Sequence, residues 1–240
     1  MNDQTLSAAL AIDALQKYAS KERAISNVRF FKTGKGEYGE GDEFIGATVP
    51  DTRKVAKAFV ELSIPEVKKL LASSIHEVRM LGLIIWTLQF AKSNEQDRCK
   101  IFDAYLASAS RINNWDLVDV SAPNIIGEHL VDSDRDVLLR LAKSKILWER
   151  RIAMVATLAC IRRGDASTTL QIADLLLHDR EDLMHKATGW MLREVGKHCG
   201  VEVLGEYLRS RYSKLSRTAL RYAIEHFSAV ERRRWLLGKV

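Results

Sequence analysis

In Asp182-Leu-Met-His-Lys-Ala-Thr-Gly-Trp-Met-Leu-Arg-Glu-Val-Gly-Lys-His198, the apolar residues Met184, Ala187, Met191 and Val195 recur at intervals of three and four. That spacing puts them on one side of an α-helix, facing a core. The opposite side carries Lys186, Trp190, Arg193 and Lys197 at i, i+4, i+7 and i+11. Two other segments begin alike: His76-Glu-Val-Arg79-Met-Leu-Gly and Trp148-Glu-Arg-Arg151-Ile-Ala-Met align with Asp182-Leu-Met-His185-Lys-Ala-Thr, and a further copy starts at Lys214-Leu-Ser-Arg217. The starts lie 72, 34 and 32 residues apart, and 72 is two units of 36 with the helix after Asn113 in the middle slot. A period near 35 predicts a solenoid of helix pairs, in which each pair buries its apolar face against its neighbours.

The rest of the chain agrees. Only 3 prolines occur in 240 residues and strand-like alternation is nearly absent, so the reading is all-α. Helices are predicted over 5–18, 21–31, 51–62, 65–73, 76–92, 95–108, 115–130, 134–143, 147–163, 167–178, 181–198, 201–211, 214–227 and 229–237. Pro50, Ser63 with Pro65, and Asn94 mark helix starts, and Gly164 and Gly200 mark ends. Short connections force antiparallel neighbours, giving one HEAT-like helical-repeat domain over 1–240, with corresponding helices lining a basic concave face.

Composition narrows the function classes. The net charge is +6, yet residues 208–240 hold nine Lys/Arg against Glu225 and Glu231, a local +7. Such asymmetry points to a polyanionic partner, or else to a solvated helical face. No apolar run approaches the roughly 20 residues of a membrane span. The start Met1-Asn-Asp-Gln-Thr lacks the pattern of a secretory signal, so the protein is expected in the cytoplasm. Cys99, Cys160 and Cys199 are far apart and odd in number, and are read as buried thiols without disulfide or zinc.

Several motifs fail on inspection. Gly34-x-Gly36-x-x-Gly39 matches a dinucleotide fingerprint but follows a predicted helix rather than a strand, so it reads as a surface loop in which Lys32 and Lys35 could touch phosphate. His76-Glu77-Val-Arg-Met80 lacks the second histidine of a zinc-protease helix. No phosphate loop or serine-hydrolase elbow occurs. No metal and no cofactor are expected.

Three positive features remain. In Asn113-Asn-Trp115-Asp116-Leu-Val-Asp119, Trp115 and Asp119 share one helical face; Asn113 or Asn114 caps the helix, and Asp116 in its first turn reads as structural. On the 181–198 helix, Trp190 among three cations suits contact with a nucleotide flanked by phosphates, the competing reading being a rim indole covered by lysine stems. Trp148 and Arg151, three apart, share a face from which Arg151 could grip a phosphate or pair with Glu149 or Glu181.

On these residues the chain resembles the bacterial DNA alkylation repair glycosylases built from HEAT-like repeats. The likeness runs from Arg29-Phe-Phe-Lys32 and Gly46-Ala-Thr-Val-Pro50 through Trp115-Asp-Leu-Val-Asp119 and Trp148-Glu-Arg-Arg151 to Lys186-Ala-Thr-Gly-Trp190-Met-Leu-Arg-Glu194. The resemblance implies a cleft of Trp115, Trp190 and Asp119, with Arg151 on phosphate, and contacts to double-stranded DNA by Trp148, Lys186, Arg193, Lys197, Phe30 and Lys32. Where the family typically has a phenolic side chain on the second helix, this chain has Phe30. The activity implied is release of cationic N3- or N7-alkylated purines by a monomeric, monofunctional glycosylase that neither extrudes the base nor needs a protein partner. The alternatives are a catalytically silent binder of damaged or branched DNA and a scaffold for protein partners.

Overall fold

The computed structural model describes residues 6–239. Met1–Thr5, where the leader was judged absent and the first helix was expected to begin, and Val240 lie outside them. All regular structure among the described residues is helical. The helices are α1 (Ala8–Gln16), α2 (Lys21–Phe30), α3 (Val49–Ala58), α4 (Ile64–Leu71), α5 (His76–Lys92), α6 (Glu95–Ala107), α7 (Trp115–Ala122) and α8 (Glu128–Leu130). They continue as α9 (Asp136–Ala142), α10 (Leu147–Ala156), α11 (Leu158–Ile161), α12 (Ser167–Leu175), α13 (Asp182–His198), α14 (Val201–Arg209), α15 (Arg217–Ala223) and α16 (Ala229–Leu237). Their contacts divide the chain into two compact units, before and after the Ser121–Ala122 bond.

In the first unit α5 is the central element. Every residue from His76 to Trp86 is buried, so three turns are enclosed on all sides, with α3, α4 and α6 packed around them. The expected one-sided helix is therefore an interior one here. In the second unit α13 follows the predicted pattern: Met184, Ala187, Met191 and Val195 are fully buried, whereas Lys186, Trp190 and Arg193 reach solvent in part and Lys197 is exposed.

Helix ends follow local chemistry. Ser7, Ser20, Thr48, Asn94 and Ser216 each accept the N–H three residues on, and Ser228 with Glu231 forms a reciprocal cap. Prolines 50 and 65 stand in the first turns of α3 and α4, where no N–H is missed. The predicted helix 115–130 is interrupted. Residues Pro123–Gly127 form a π turn, because a proline has no N–H for the carbonyl four residues earlier and its ring crowds that carbonyl. The helix widens by one residue just after Asp119.

The repeat is real, but two copies were read out of register, the one at Trp148 one residue late and the one at Lys214 three residues early. The helices α5, α10, α13 and α15 start at His76, Leu147, Asp182 and Arg217, intervals of 71, 35 and 35. Chemistry confirms that register. Arg79 donates to the carbonyls of Ser73 and Ser74, Arg150 to those of Ser144 and Lys145, and His185 bonds that of Asp179. Each reaches a carbonyl six residues back, so Arg150, not Arg151, corresponds to Arg79. Just ahead of each helix Ser73, Ser144 and Asp179 accept the N–H two residues on, the local bond that turns the chain into the next helix.

Of the three free thiols only Cys160 is buried; Cys199 is partly exposed and Cys99 exposed, so the expectation of buried thiols fails for those two. No helix among the described residues is long and apolar enough to cross a membrane.

Contact between α13 and α15 is close at Gly189, where a Cβ would stand 2.5 Å from the Tyr222 Cβ and 2.6 Å from the Ala219 carbonyl oxygen. Gly189→Ala should lower unfolding stability by about 1–3 kcal/mol, despite alanine's better helix propensity. Urea denaturation will read it, and an unchanged midpoint would mean that the two helices do not pack this closely.

Candidate functional site

In the first unit, α7 presents Trp115 and Asp119 one turn apart, both partly exposed. The helix starts where its sequence predicts. The Asn114 side-chain oxygen accepts the Trp115 N–H at 2.8 Å, and the Asn114 carbonyl accepts the Val118 N–H. The Trp115 indole lies over Phe31, with ring centres 5.7 Å apart and planes 24° off parallel, and meets Phe30 edge-on at 6.0 Å. Phe30 is 62 % exposed, as a contact residue must be, and Lys32 beside it is exposed with a left-handed backbone (φ 51). Asp119 stands near the buried Tyr105 phenol, whose pKa burial raises, with the Asp119 charge adding to the shift. Tyr105 in turn bonds Ser121 at 2.9 Å.

Beneath this surface lies a charged cluster that sequence reading missed. His76, 2 % exposed, bridges two carboxylates: Nε2 is 2.8 Å from Asp116 and Nδ1 3.3 Å from Asp42. Asp42 also accepts Arg79 at 2.7 Å, with longer contacts from Asn113 and Asn114. The imidazole packs against a stacked pair of phenyl rings, its centre 4.9 Å from both Phe31 and Phe44, which lie 5.1 Å from each other. Burial alone would lower the pKa of His76, but hydrogen bonds to Asp116 and Asp42 outweigh it and raise the value to about 9. His76 is therefore a cation at neutral pH. Its contribution to stability is present in full below the free imidazole's 6.5 and is lost as pH rises through about 9. Asp42 sits below the usual carboxylate range, because His76 and Arg79 overcome the upward push of burial.

The glycine-rich segment exists to deliver Asp42 and Phe44 to this cluster. Far from being only a surface loop, it runs beside the start of α5: the Glu43 N–H donates to Ser74 O and the His76 N–H to Glu43 O. Buried Glu77 then accepts the N–H groups of Ile45 and Gly46 and touches the Asn27 amide. Gly46 is obligatory, with φ at 78° and the Ser20 carbonyl 2.2 Å from where a Cβ would sit. Among the described residues no cluster of three or more His, Cys, Asp or Glu could hold a metal.

In the second unit, Trp190 donates its indole N–H to Glu194 at 3.2 Å. Its stripe is charge-compensated. Lys186 pairs with Asp182 at 2.8 Å, Arg193 with Glu194 at 2.9 Å and with Glu225, and Lys197 approaches Glu194 at 3.8 Å. A basic face made of uncompensated cations is not what α13 presents. Arg151 and Trp148 also differ from the surface positions expected of them. Arg151 is 4 % exposed and donates to the Leu183 carbonyl on α13 at 2.6 Å, and Trp148 is 9 % exposed. The neighbouring Arg150 forms an ion pair with Asp179.

The model of the DNA alkylation repair enzymes matches residues 11–227. This chain belongs to that family. A solved structure described as a predicted DNA alkylation repair enzyme from Enterococcus faecalis superposes with a TM-score of 0.68 at 15 % identity, covering 88 % of this chain and 97 % of the other. Another, described as a new family of proteins related to the HEAT-like repeat DNA glycosylases with affinity for branched DNA structures, superposes at 0.61 with 13 % identity and 96 % of each chain covered. No curated protein matches. The repair-family chain thus has the HEAT-like helical fold that its 35-residue period foretold.

What escaped the sequence was pairing over distance. Asp42, His76 and Asp116 lie 34 and 40 residues apart; His76 and Asp116 were each noticed singly, Asp116 as structural, but nothing joined them to each other or to Asp42. The available signal was a histidine, a glutamate and an arginine in the first turn of a helix that is otherwise mostly apolar. Asp42→Ala should cost about 3–5 kcal/mol, because it strands buried Arg79 and removes one of the two carboxylates of His76. Lys69→Ala, which breaks the exposed Glu66 pair, should leave stability nearly unchanged, because solvent screens the pair. Parallel urea titrations of the two variants test that contrast, and equal losses would contradict it.

Proposed function

We propose that this alkylation-repair family member hydrolyses the N-glycosidic bond of cationic N3- and N7-alkylated purines in duplex DNA, as a monomer without cofactor or lyase step. The observation that carries the reading is the pairing of Trp115 with Asp119 on one partly exposed face of α7, backed by Phe30 and Phe31. Alkylation already makes the base a cationic leaving group. As the bond breaks, positive charge grows on the deoxyribose, and a carboxylate facing it stabilises it once the bound duplex excludes water. Asp119 takes that role and positions water. Trp115 offers its π-face to the cationic lesion or sugar, and Trp190 is assigned the second indole by family resemblance. Phe30 and Lys32 meet the duplex beside Trp115. Lys186, Arg193 and Lys197 engage phosphate by exchanging their carboxylate partners for it, while Trp148 and Arg151 brace α13 from beneath. A partly open α7 surface suits lesion capture without base extrusion, which the general rule for base-acting enzymes would otherwise require.

A second reading draws on the compensated α13 stripe and on the relative described by its affinity for branched DNA: a binder of damaged or branched DNA that releases no base. Excision separates them. Wild-type protein at saturating concentration should release 3-methyladenine or 7-methylguanine from methylated duplex. Asp119→Asn should slow release at least tenfold, about 1.4 kcal/mol, with duplex affinity changed less than about twofold. Absence of release by wild type would leave the binding reading standing.

A further inference from the structure

We infer that His76 is a positioning residue for the α7 site: held as a cation between Asp42 and Asp116, it fixes the plane on which Trp115 rests. The inference rests on the proposed role of Trp115 and deepens it.

Two supports run from the imidazole to the indole. One is through the chain: Nε2 holds Asp116 at 2.8 Å, and Asp116 is bonded to Trp115 along the first turn of α7. The other is through stacked rings: His76 lies 4.9 Å from Phe31, and Phe31 lies 5.7 Å from Trp115 with nearly parallel planes. Phe44, 4.9 Å from the imidazole, also stacks on Phe31 at 5.1 Å and so buttresses both rings. The ring cannot turn while both nitrogens are bonded. An imidazolium donates from both, so each carboxylate accepts a hydrogen bond; a neutral ring donates from one only, and the other carboxylate then faces a lone pair. Loss of that proton releases one of the two pins, and the ring can pivot about the other. The Phe31 plane and the Asp116 tether then move together.

The charged groups facing His76 are Asp42 from the loop before α3, Asp116 from α7 and Arg79 from α5 itself, with Arg111 behind Arg79. The two carboxylates favour the cation and Arg79 opposes it; the balance puts the His76 pKa at about 9. The sign follows. The support is intact at neutral pH and fails on the alkaline side, and removing the Asp116 charge brings the failure toward neutrality.

The test is single-turnover release of 3-methyladenine from duplex between pH 6 and 9.8, with uncatalysed release subtracted. Wild type should show an alkaline limb near pH 9. Asp116→Asn should move that limb down by at least one pH unit. His76→Gln should release base at least fivefold more slowly at pH 7, bind duplex within about twofold of wild type, and show no limb. A merely structural role would scale the profile without moving it. His76→Gln within twofold of wild type throughout, or an Asp116→Asn limb coincident with the wild-type one, overturns the inference.

An independent arm uses the protein without DNA. The Trp115 indole N–H resonance, assigned with Trp115→Phe, should shift between pH 7 and 9.8 in wild type and shift by less in Asp116→Asn over its upper half. An indole resonance blind to this range in wild type overturns the inference even if His76→Gln does not fold. If wild type releases no base yet its Trp115 resonance titrates near pH 9, the excision reading fails and the positioning inference survives.

Discussion

Sharp turns between packed helices leave carbonyl groups at each helix end without an intrahelical donor, and this constraint organises the molecule. Buried carbonyls must be paired. Here the following helix supplies the donor from its first turn: Arg79, Arg150 and His185 each reach a carbonyl six residues back. In the first unit Arg111 adds further donors to the carbonyls of Leu71, Ala72 and Ser73 at the end of α4. A positive side chain at the negative end of a helix gains from the dipole as well as from the hydrogen bond. The 35-residue spacing of the helices therefore reflects a repeated solution to one hydrogen-bonding problem as much as a repeated apolar face.

Carrying a cation inward for this purpose creates a second requirement. Arg79 is 1 % exposed, and a buried guanidinium needs a counter-ion. Asp42 meets it, and the same carboxylate then accepts His76, which in turn holds Asp116. A chain of structural obligations thus runs from a hairpin carbonyl to the first turn of α7. The helix that displays Trp115 and Asp119 is anchored by charge as well as by apolar burial. The glycine-rich segment belongs to the same chain, since without its turns Asp42 and Phe44 could not reach α5.

The second unit treats charge differently. Its α13 cations reach solvent and are paired there with Asp182, Glu194 and Glu225. The Lys186–Asp182 pair is exposed, contributes little to stability and is available for exchange, whereas buried Glu194 holds Arg193 more firmly. A phosphate that replaces the carboxylate partner meets a side chain already extended and ordered. The indole of Trp190 shares Glu194 with Arg193, which couples ring orientation to the state of the ion pair.

Periodicity alone determined the helices, their order and the buried face of α13, because apolar spacing is a local property that a helix translates directly into a side. The helix starts marked by Pro50, Pro65 and Asn94 were legible from equally local signals. The pairing of Trp115 with Asp119 was also visible, as residues four apart on a helix share a face. Tertiary structure decided the rest. Only packing could show that α5 is enclosed on all sides, that Arg151 lies inside while Arg150 takes the repeat's role, and that Pro123 opens a π turn after Asp119. The Asp42–His76–Asp116 bridge has no local signature at all. Its members meet because three separate segments converge, and the charge state of His76 is set by the dielectric and the neighbours found there, neither of which is written in any short stretch of sequence.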